Sequence, residues 1–431
     1  MKLTFQIVIT DESDLSRTEE LISLQKSGDA LNDIGLSVSE SKQLLGAVQK
    51  SLVQQQADEY IHQNIRCPHC LTKRRIKGQQ KIQYRTLFGV IPVSGLRGYQ
   101  CRCEESATKT VSLLSDWAGD HTHPALKYIE TRWASLISYE MTVLRFLKDV
   151  LPVGYSLNAS TVRNHLCRVA QRLDSEAESH SGFISGCPHD WGKLPKPGKP
   201  LVVGIDGGYV RDRDDKKRNF EIIAGKSFSI GAPTAARRFG FVQKSDCHPE
   251  RRLMAHLSAQ GMQANQQIFF LSDGADNLRE LQFGMYPESI HVLDWFHITM
   301  RLTVLMQYAK GVQASDPATG SKVLSLLESS KRYLWHGNIA TALDRIDDCV
   351  MYCDDPELNY ANLKALQKQL DEIYNYIRNN QMMIPNYGEM RRYGEPVSTA
   401  FVESTINEVI ARRMAKKQQM RWSRKGAHYL L

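Results

Sequence analysis

The sequence predicts an α/β protein: a mixed five-stranded sheet followed by a helical block, preceded by helical segments and a small cysteine-bearing β module. Three observations carry this. Short apolar runs recur between Leu201 and Leu293 in the order β-β-β-α-β-α-β. Residues 298 to 384 show helical spacing without strand signals. Between residues 65 and 105, β-branched and aromatic residues lie between two cysteine pairs.

The 431 residues allow about two or three domains. Hydrophobic residues at 42% and charged residues at 24% exclude a disordered, collagen-like or disulfide-scaffold chain. No run reaches the ~18 apolar residues of a membrane span. The opening MKLTFQIVIT, followed by Asp11 and Glu12, lacks the long apolar core and small-residue cleavage site of a signal peptide, so a cytoplasmic protein is expected. Nine cysteines, an odd number, argue against a disulfide framework. The net charge of +8 is concentrated: residues 391–431 hold nine bases and three acids. A basic end points to a polyanion, most often nucleic acid, or else to a solvated surface.

Taken in order, residues 1–60 read as a mostly helical region after a strand-like start, with Leu21, Leu24, Leu31, Ile34 and Leu36 at loose helical spacing and a second helix over 39–56. Residues 61–110 read as short hairpins, broken at Gly89, Gly95 and Gly98. Residues 111–180 return to helix. The stretch 181–200, rich in Pro and Gly, reads as a linker. At Leu201 the sheet begins; a final helix covers 398–413.

Cys67 and Cys70, then Cys101 and Cys103 after 30 intervening residues, resemble a zinc ribbon. Zn²⁺ takes four soft ligands in a tetrahedron, and one tight knuckle supplies two of them. His69 is a possible substitute ligand, and reduced cysteines without metal are the plainer alternative. Lys73, Arg74, Arg75, Lys77 and Lys81 follow the first knuckle, suited to DNA phosphates.

A helix over Leu157–Leu173 would bury Val162, Leu166, Val169 and Leu173 and leave Thr161, Arg163, Asn164 and Arg168 outward, as a helix-turn-helix recognition helix does. An ordinary amphipathic helix fits the same pattern.

Asp206 and Asp273 each follow an apolar strand run. Sites form at the carboxyl ends of strands in open sheets. Two aspartates there repel unless cations neutralise them, and carboxylate oxygens suit Mg²⁺. Two such ions clamp the attacking and leaving oxygens of phosphoryl displacement. Glu403, on a helix leading into the basic segment, is the best-placed third carboxylate. Asp212, Asp214 and Asp215 read as solvated loop acids, and Asp276 as a helix cap; strand-end aspartates also serve turns.

The blocks VVGIDGGYVR, FLSDGADNLREL, HVLDWFHI, FVESTIN and MRWSRKGAHYLL, in this order, resemble the bacterial insertion-sequence transposases of the ISKra group (the fourth so named), of the DDE class. The resemblance covers about residues 60–431. It implies an RNase H-like catalytic core over 201–297 and 398–431, an all-α insertion over 298–397, and a zinc ribbon-like and a helix-turn-helix-like domain before them. It implies Asp206, Asp273 and Glu403 as the acidic triad, holding two Mg²⁺ (or Mn²⁺) ions, with a structural Zn²⁺ on the four cysteines. Asp294-Trp295-Phe296-His297 matches the D/C-x-x-H signature of Mutator-like relatives; His297 is read as standing near the scissile phosphate or the flanking strand without ligating metal, or else as a structural histidine at a strand-to-helix turn. The implied function is metal-dependent DNA cleavage and strand transfer. An inactive or domesticated DNA-binding regulator and an RNase H-like nuclease are the alternatives. The implied partners are double-stranded DNA, as terminal inverted repeats and target, and further copies of the chain, at the nucleoid rather than at a membrane. DNA contacts are expected from Arg163, Asn164, Arg168, Arg412, Arg413, Lys416, Lys417, Arg421, Trp422, Arg424 and Lys425; Trp422 stacks on an unpaired base or packs on the core. Members usually run past the AHYLL stretch where this chain ends at Leu431, a departure that bears on activity more than on fold.

Overall fold

The computed structural model describes residues 1–10, 14–27, 34–103, 109–152, 157–179, 181–184, 186–215, 217–232, 235–244, 246, 248–415 and 422–431, the side chains of 146, 409, 411, 412 and 415 excepted. It divides into two compact units, Met1–Val169 and Ala170–Leu431. The division falls inside a helix rather than in the expected linker. No helix among the described residues is long and apolar enough to cross a membrane.

The first unit opens on a hairpin, β1 (Lys2–Thr10) with β2 (Ser16–Gln25), antiparallel from Lys2↔Gln25 to Thr10↔Ser16. The helical reading of this segment is therefore corrected. Leu21 and Leu24 have helical spacing, but β1 alternates in exposure along its whole length. Pairing with such a strand overrides weak local propensity. Helix α1 (Val38–Asn64) does form, and extends beyond the expected end. Ser37 caps it: the Glu40 amide donates to the Ser37 hydroxyl (3.2 Å), and the Ser37 amide donates to Glu40 Oε2 (2.8 Å). Strands β3 (Ile76–Thr86), β4 (Gly89–Tyr99) and β5 (Thr110–Ser112) form an antiparallel sheet. The β3–β4 turn needs Gly89, whose φ of 125° suits no side chain. Val53, Ala57 and Ile61 of α1 pack on Ile91, Val93 and Leu114. Helix α2 (Pro124–Leu136), an irregular stretch with α3 (Tyr139–Met141), a π-helical turn (Thr142–Leu147) and α4 (Lys148–Val150), and then α5 (Ala159–Glu178) follow.

The second unit begins within α5. Residues 181–200 are not a free linker: they carry α6 (Pro188–Trp191), Trp191 stands edge-on to Tyr286 at 6.4 Å, and Ile184 packs on the core. The sheet has the order β10-β9-β6-β7-β8, with β6 (Leu201–Arg211), β7 (Asn219–Ser229), β8 (Arg237–Val242), β9 (Ile268–Ser272) and β10 (Ile290–Leu293). β6, β7 and β8 are antiparallel, whereas β9 and β10 run parallel to β6. This is the expected mixed five-stranded sheet.

Its two faces are sorted by alternation along β6. Leu201, Val203 and Ile205 pack with helices α7 (Pro249–Ala259) and α8 (Asp276–Met285) through Leu253, Leu257 and Leu278. Val202 faces the other way, into a core shared with the helical block. That block holds α9 (Trp295–Ser315), α10 (Pro317–Trp335), α11 (Ile339–Cys353), α12 (Leu363–Asn379) and α13 (Tyr387–Arg392). Burying a side chain such as Leu302 or Leu327 there contributes roughly 1.5–3 kcal/mol. Helix α14 (Ala400–Ile406) and a π-helical segment (Asn407–Ala415) then return to that second face, and α15 (Arg424–His428) ends the chain. Gly204 admits α14: a Cβ there would lie 2.3 Å from Val402.

Candidate functional site

Two clusters emerge. The first is the cysteine knuckle. After α1, Arg66 bridges Lys73, the Cys67 amide donates to the Thr72 carbonyl (2.9 Å), and the Leu71 amide donates to the Cys67 carbonyl (2.9 Å). Leu71 turns the chain at φ 59°. Cys101 and Cys103 arrive just after β4. Sulfur separations are 3.4 Å for both Cys67–Cys103 and Cys70–Cys101, and all four lie within 4.8 Å of one another. Tetrahedral coordination at ~2.3 Å puts sulfurs about 3.8 Å apart, so the four thiols could hold an ion such as zinc with little movement. His69 is exposed and outside this group, so the substitute-ligand idea is dropped. Hydrogen bonds from Thr72, then from Cys101 and Cys103, hold the Cys70 thiol down to about 6. Cys103 is pushed far up, first by Cys101 and Cys67. A soft cation binding there would displace the remaining thiol protons.

The second cluster is acidic. Asp206 does not end its strand as expected; it sits in the middle of β6. Gly207 and Gly208 look like a strand end in sequence, but β7 pairs with β6 throughout, up to Arg211↔Asn219. The parallel pairing with β9 ends earlier, at Gly204↔Leu271. Asp206 lies on the face of Val202 and Gly204, and Asp273, the residue after β9, is near enough for its charge to act on Asp206. Gly204 and Gly208, also on that face, meet Val402 and Ile410, so the segment carrying Glu403 runs along it. Burial pushes the Asp206 carboxyl above the ordinary carboxylate range; the Gly207 amide and His297 pull it back, and Asp273 and Asp294 push it further.

His297 is about one-third exposed, its Nε2 3.7 Å from Asp294 Oδ2. Glu403 is exposed. Among the described residues the four cysteines are the one group of three or more ligand-type side chains gathered within 4.8 Å; Asp206, Asp273 and Glu403 do not form such a group.

Sequence reasoning missed three residues here. Glu221, on β7, has its carboxyl raised first by burial and then by Asp273 and Asp206. Its Oε1 would lie 2.7 Å from a Cβ at Gly207. A lone acid in the apolar strand NFEIIAGKSFS was the available signal. Tyr376, from α12, donates its hydroxyl to the Asp273 carbonyl (2.9 Å) while Arg301 lies over its ring at 4.3 Å. Thr399 bonds to Asp294, the N-cap of α9.

The expected DNA contacts divide. Arg163, Asn164 and Arg168 are exposed on α5, with Arg168 paired to Asp120 at 3.2 Å. Leu173 of the expected apolar stripe is half exposed, while His165 is buried against Glu130. Arg424 and Lys425 are exposed. Arg413 is a correction, and for Trp422 the core-packing alternative holds: both are buried, the guanidinium 4.8 Å from the ring centroid. Trp422 bridges Asp212, and its carbonyl accepts from the Arg213 amide (2.9 Å), which seats it on the sheet. Asp212 is accordingly not solvated; the Asp214 amide and then Arg424 hold its carboxyl below the usual range. Lys416, Lys417, Arg421 and the Arg412 side chain lie outside the described residues.

The architecture defines a mixed α/β protein with a four-cysteine metal-site candidate. Comparison of the chain with models of protein families, and with curated proteins, gave no match.

Proposed function

We propose that the chain is a DNA transposase of the DDE class, its five-stranded sheet an RNase H-like core and its helical block an all-α insertion. One observation carries this reading: Asp206, half-buried in the middle of β6, has its carboxyl raised first by burial and further by the charge of Asp273, the residue that follows β9. Carboxylates held this way ask for divalent cations. Two Mg²⁺ ions, when bound, would supply the clamp on the attacking and leaving oxygens of in-line displacement.

The chain's own residues do the rest. Asp206 and Asp273 offer oxygens from the sheet, and Glu403 offers a third carboxylate from α14. Glu221 deepens the negative potential. His297 orients the phosphate or its flanking strand. The exposed Lys73, Arg75, Lys77, Arg163 and Asn164 suit terminal-repeat DNA, and zinc on the four cysteines would hold the ribbon together. Joining two ends calls for more than one copy, at the nucleoid.

The experiment is incubation with element-end DNA and Mg²⁺, comparing wild type with Asp206→Asn. Cleavage and strand joining by wild type alone are expected; equal cutting by both defeats the reading, and cutting without joining leaves a nuclease. The spread of the three acids favours one second reading, a DNA-binding regulator descended from such an enzyme. It predicts binding without cutting.

A further inference from the structure

We infer that Asp294 is a positioning residue that sets Glu403 against Asp206 and Asp273, acting through Thr399. This rests on reading those three acids as one site. The side chain of Asp294 is fully buried at the start of α9. Oδ1 accepts the Phe296 amide (2.8 Å), an ordinary helix cap. The same oxygen accepts the Thr399 amide (3.1 Å), and Oδ2 accepts the Thr399 hydroxyl. Thr399 stands 105 residues away in sequence.

The links on either side reach the acids themselves. The Asp294 amide donates to the carbonyl of Ser272 (2.8 Å), the residue before Asp273. The carbonyl of Thr399 accepts the amide of Glu403 (3.2 Å). The path from the second acid to the third is thus a chain of hydrogen bonds through two buried side chains. The Trp295 amide, donating to the Val397 carbonyl (3.1 Å), fixes the approach of the same segment.

Capping alone does not explain this arrangement. Asparagine caps a helix as well as aspartate does. Thr399, at the N-cap of α14, makes no side-chain cap of its own; its hydroxyl goes to Asp294 instead. Among the described residues the ion-pair partner of Asp294 is His297, at 3.7 Å, and no Lys or Arg. A buried carboxylate so lightly compensated is costly. What it provides is two acceptor oxygens for three donors from two segments.

Thr399→Val keeps the shape and deletes the hydroxyl; Thr399→Ser keeps the hydroxyl. Two readouts are taken with unfolding midpoints as a check on folding: Mn²⁺ affinity by calorimetry without DNA, and kcat and KM for cleavage of element-end DNA. Thr399→Val is expected to weaken Mn²⁺ binding about tenfold and to lower kcat up to about 10²-fold, with KM for DNA unchanged. Thr399→Ser restores both, and Asp294→Ala with Thr399→Val is no worse than Asp294→Ala alone. Unchanged Mn²⁺ affinity in a folded Thr399→Val protein overturns the inference, as does an equal effect of Val and Ser. If wild type binds Mn²⁺ but cuts nothing, and Thr399→Val still weakens binding, the cleavage reading falls and the positioning role stands.

Discussion

The cysteine cluster and the acidic residues of the second unit differ in how closely the fold gathers candidate ligands. At the knuckle, short-range geometry does everything: a bridge at Arg66–Lys73, a left-handed Leu71 and a hairpin bring four sulfurs within 4.8 Å. The three acids of the second unit come from β6, the turn after β9 and α14, far apart in sequence, and their carboxylates do not close on one another. Thiols that hydrogen-bond to one another pack together at little cost. Like charges do not, so an acidic pocket stays open until cations arrive.

The largest effect that sharpens this contrast is metal removal. Apparent binding energies of structural zinc in small domains are about 10–16 kcal/mol. Stripping the metal, or Cys67→Ser, is therefore expected to unfold the region around β3–β5 while the β6 and β9 amides stay protected. Hydrogen exchange checks this; protection of both units after chelation breaks the contrast.

Next comes Asp206→Asn, expected to lower Mg²⁺-dependent cleavage by about 10²–10³-fold, the usual cost of losing one electrostatic contributor at a reaction centre. Gel assays of end cleavage measure it, and loss of less than tenfold contradicts it.

Trp422→Ala is expected to cost about 3–5 kcal/mol of stability, as for other buried aromatics. A denaturant melt reads this. An unchanged midpoint with weakened DNA binding would return Trp422 to the DNA.

The smallest effect is on pH dependence. Asp206 and Glu221 have folded-state values raised above their unfolded ones. Each binds its proton more tightly when folded, so their contribution is present at low pH and is lost as pH rises through the folded-state value. The share of stability these two groups contribute to metal-free protein therefore grows as pH falls through that range, against the opposing loss from Glu40, Asp120 and Asp212, and Asp206→Asn removes part of that share. Midpoints of wild type and variant compared from about pH 7 to 4 test this; a variant that gains on wild type as pH falls refutes it.

Much of this was legible in the sequence, for identifiable reasons. The Cys67–Cys70 and Cys101–Cys103 spacing is local, and the apolar run Ile268–Ser272, bounded by turn residues, is a buried strand. The helical block shows its period because its helices bury one face each. What failed depended on partners. The β2 strand needs β1 beside it. Asp206 ends an apolar run but not a strand, because β7 continues the pairing. Arg413 and Trp422 read as a basic, base-stacking mix until Asp212 and the sheet enclose the ring. Thr399 carries no signal at all, since its role exists only through Asp294.

The most direct test of the acidic site is a Mn²⁺ titration of the DNA-free protein, loaded with zinc alone, by calorimetry, comparing wild type with Asp206→Asn, Asp273→Asn and Glu403→Gln. Three carboxylates sharing one cation pocket predict that each single change weakens binding by at least tenfold. A Glu403→Gln protein that binds Mn²⁺ as tightly as wild type would contradict the triad.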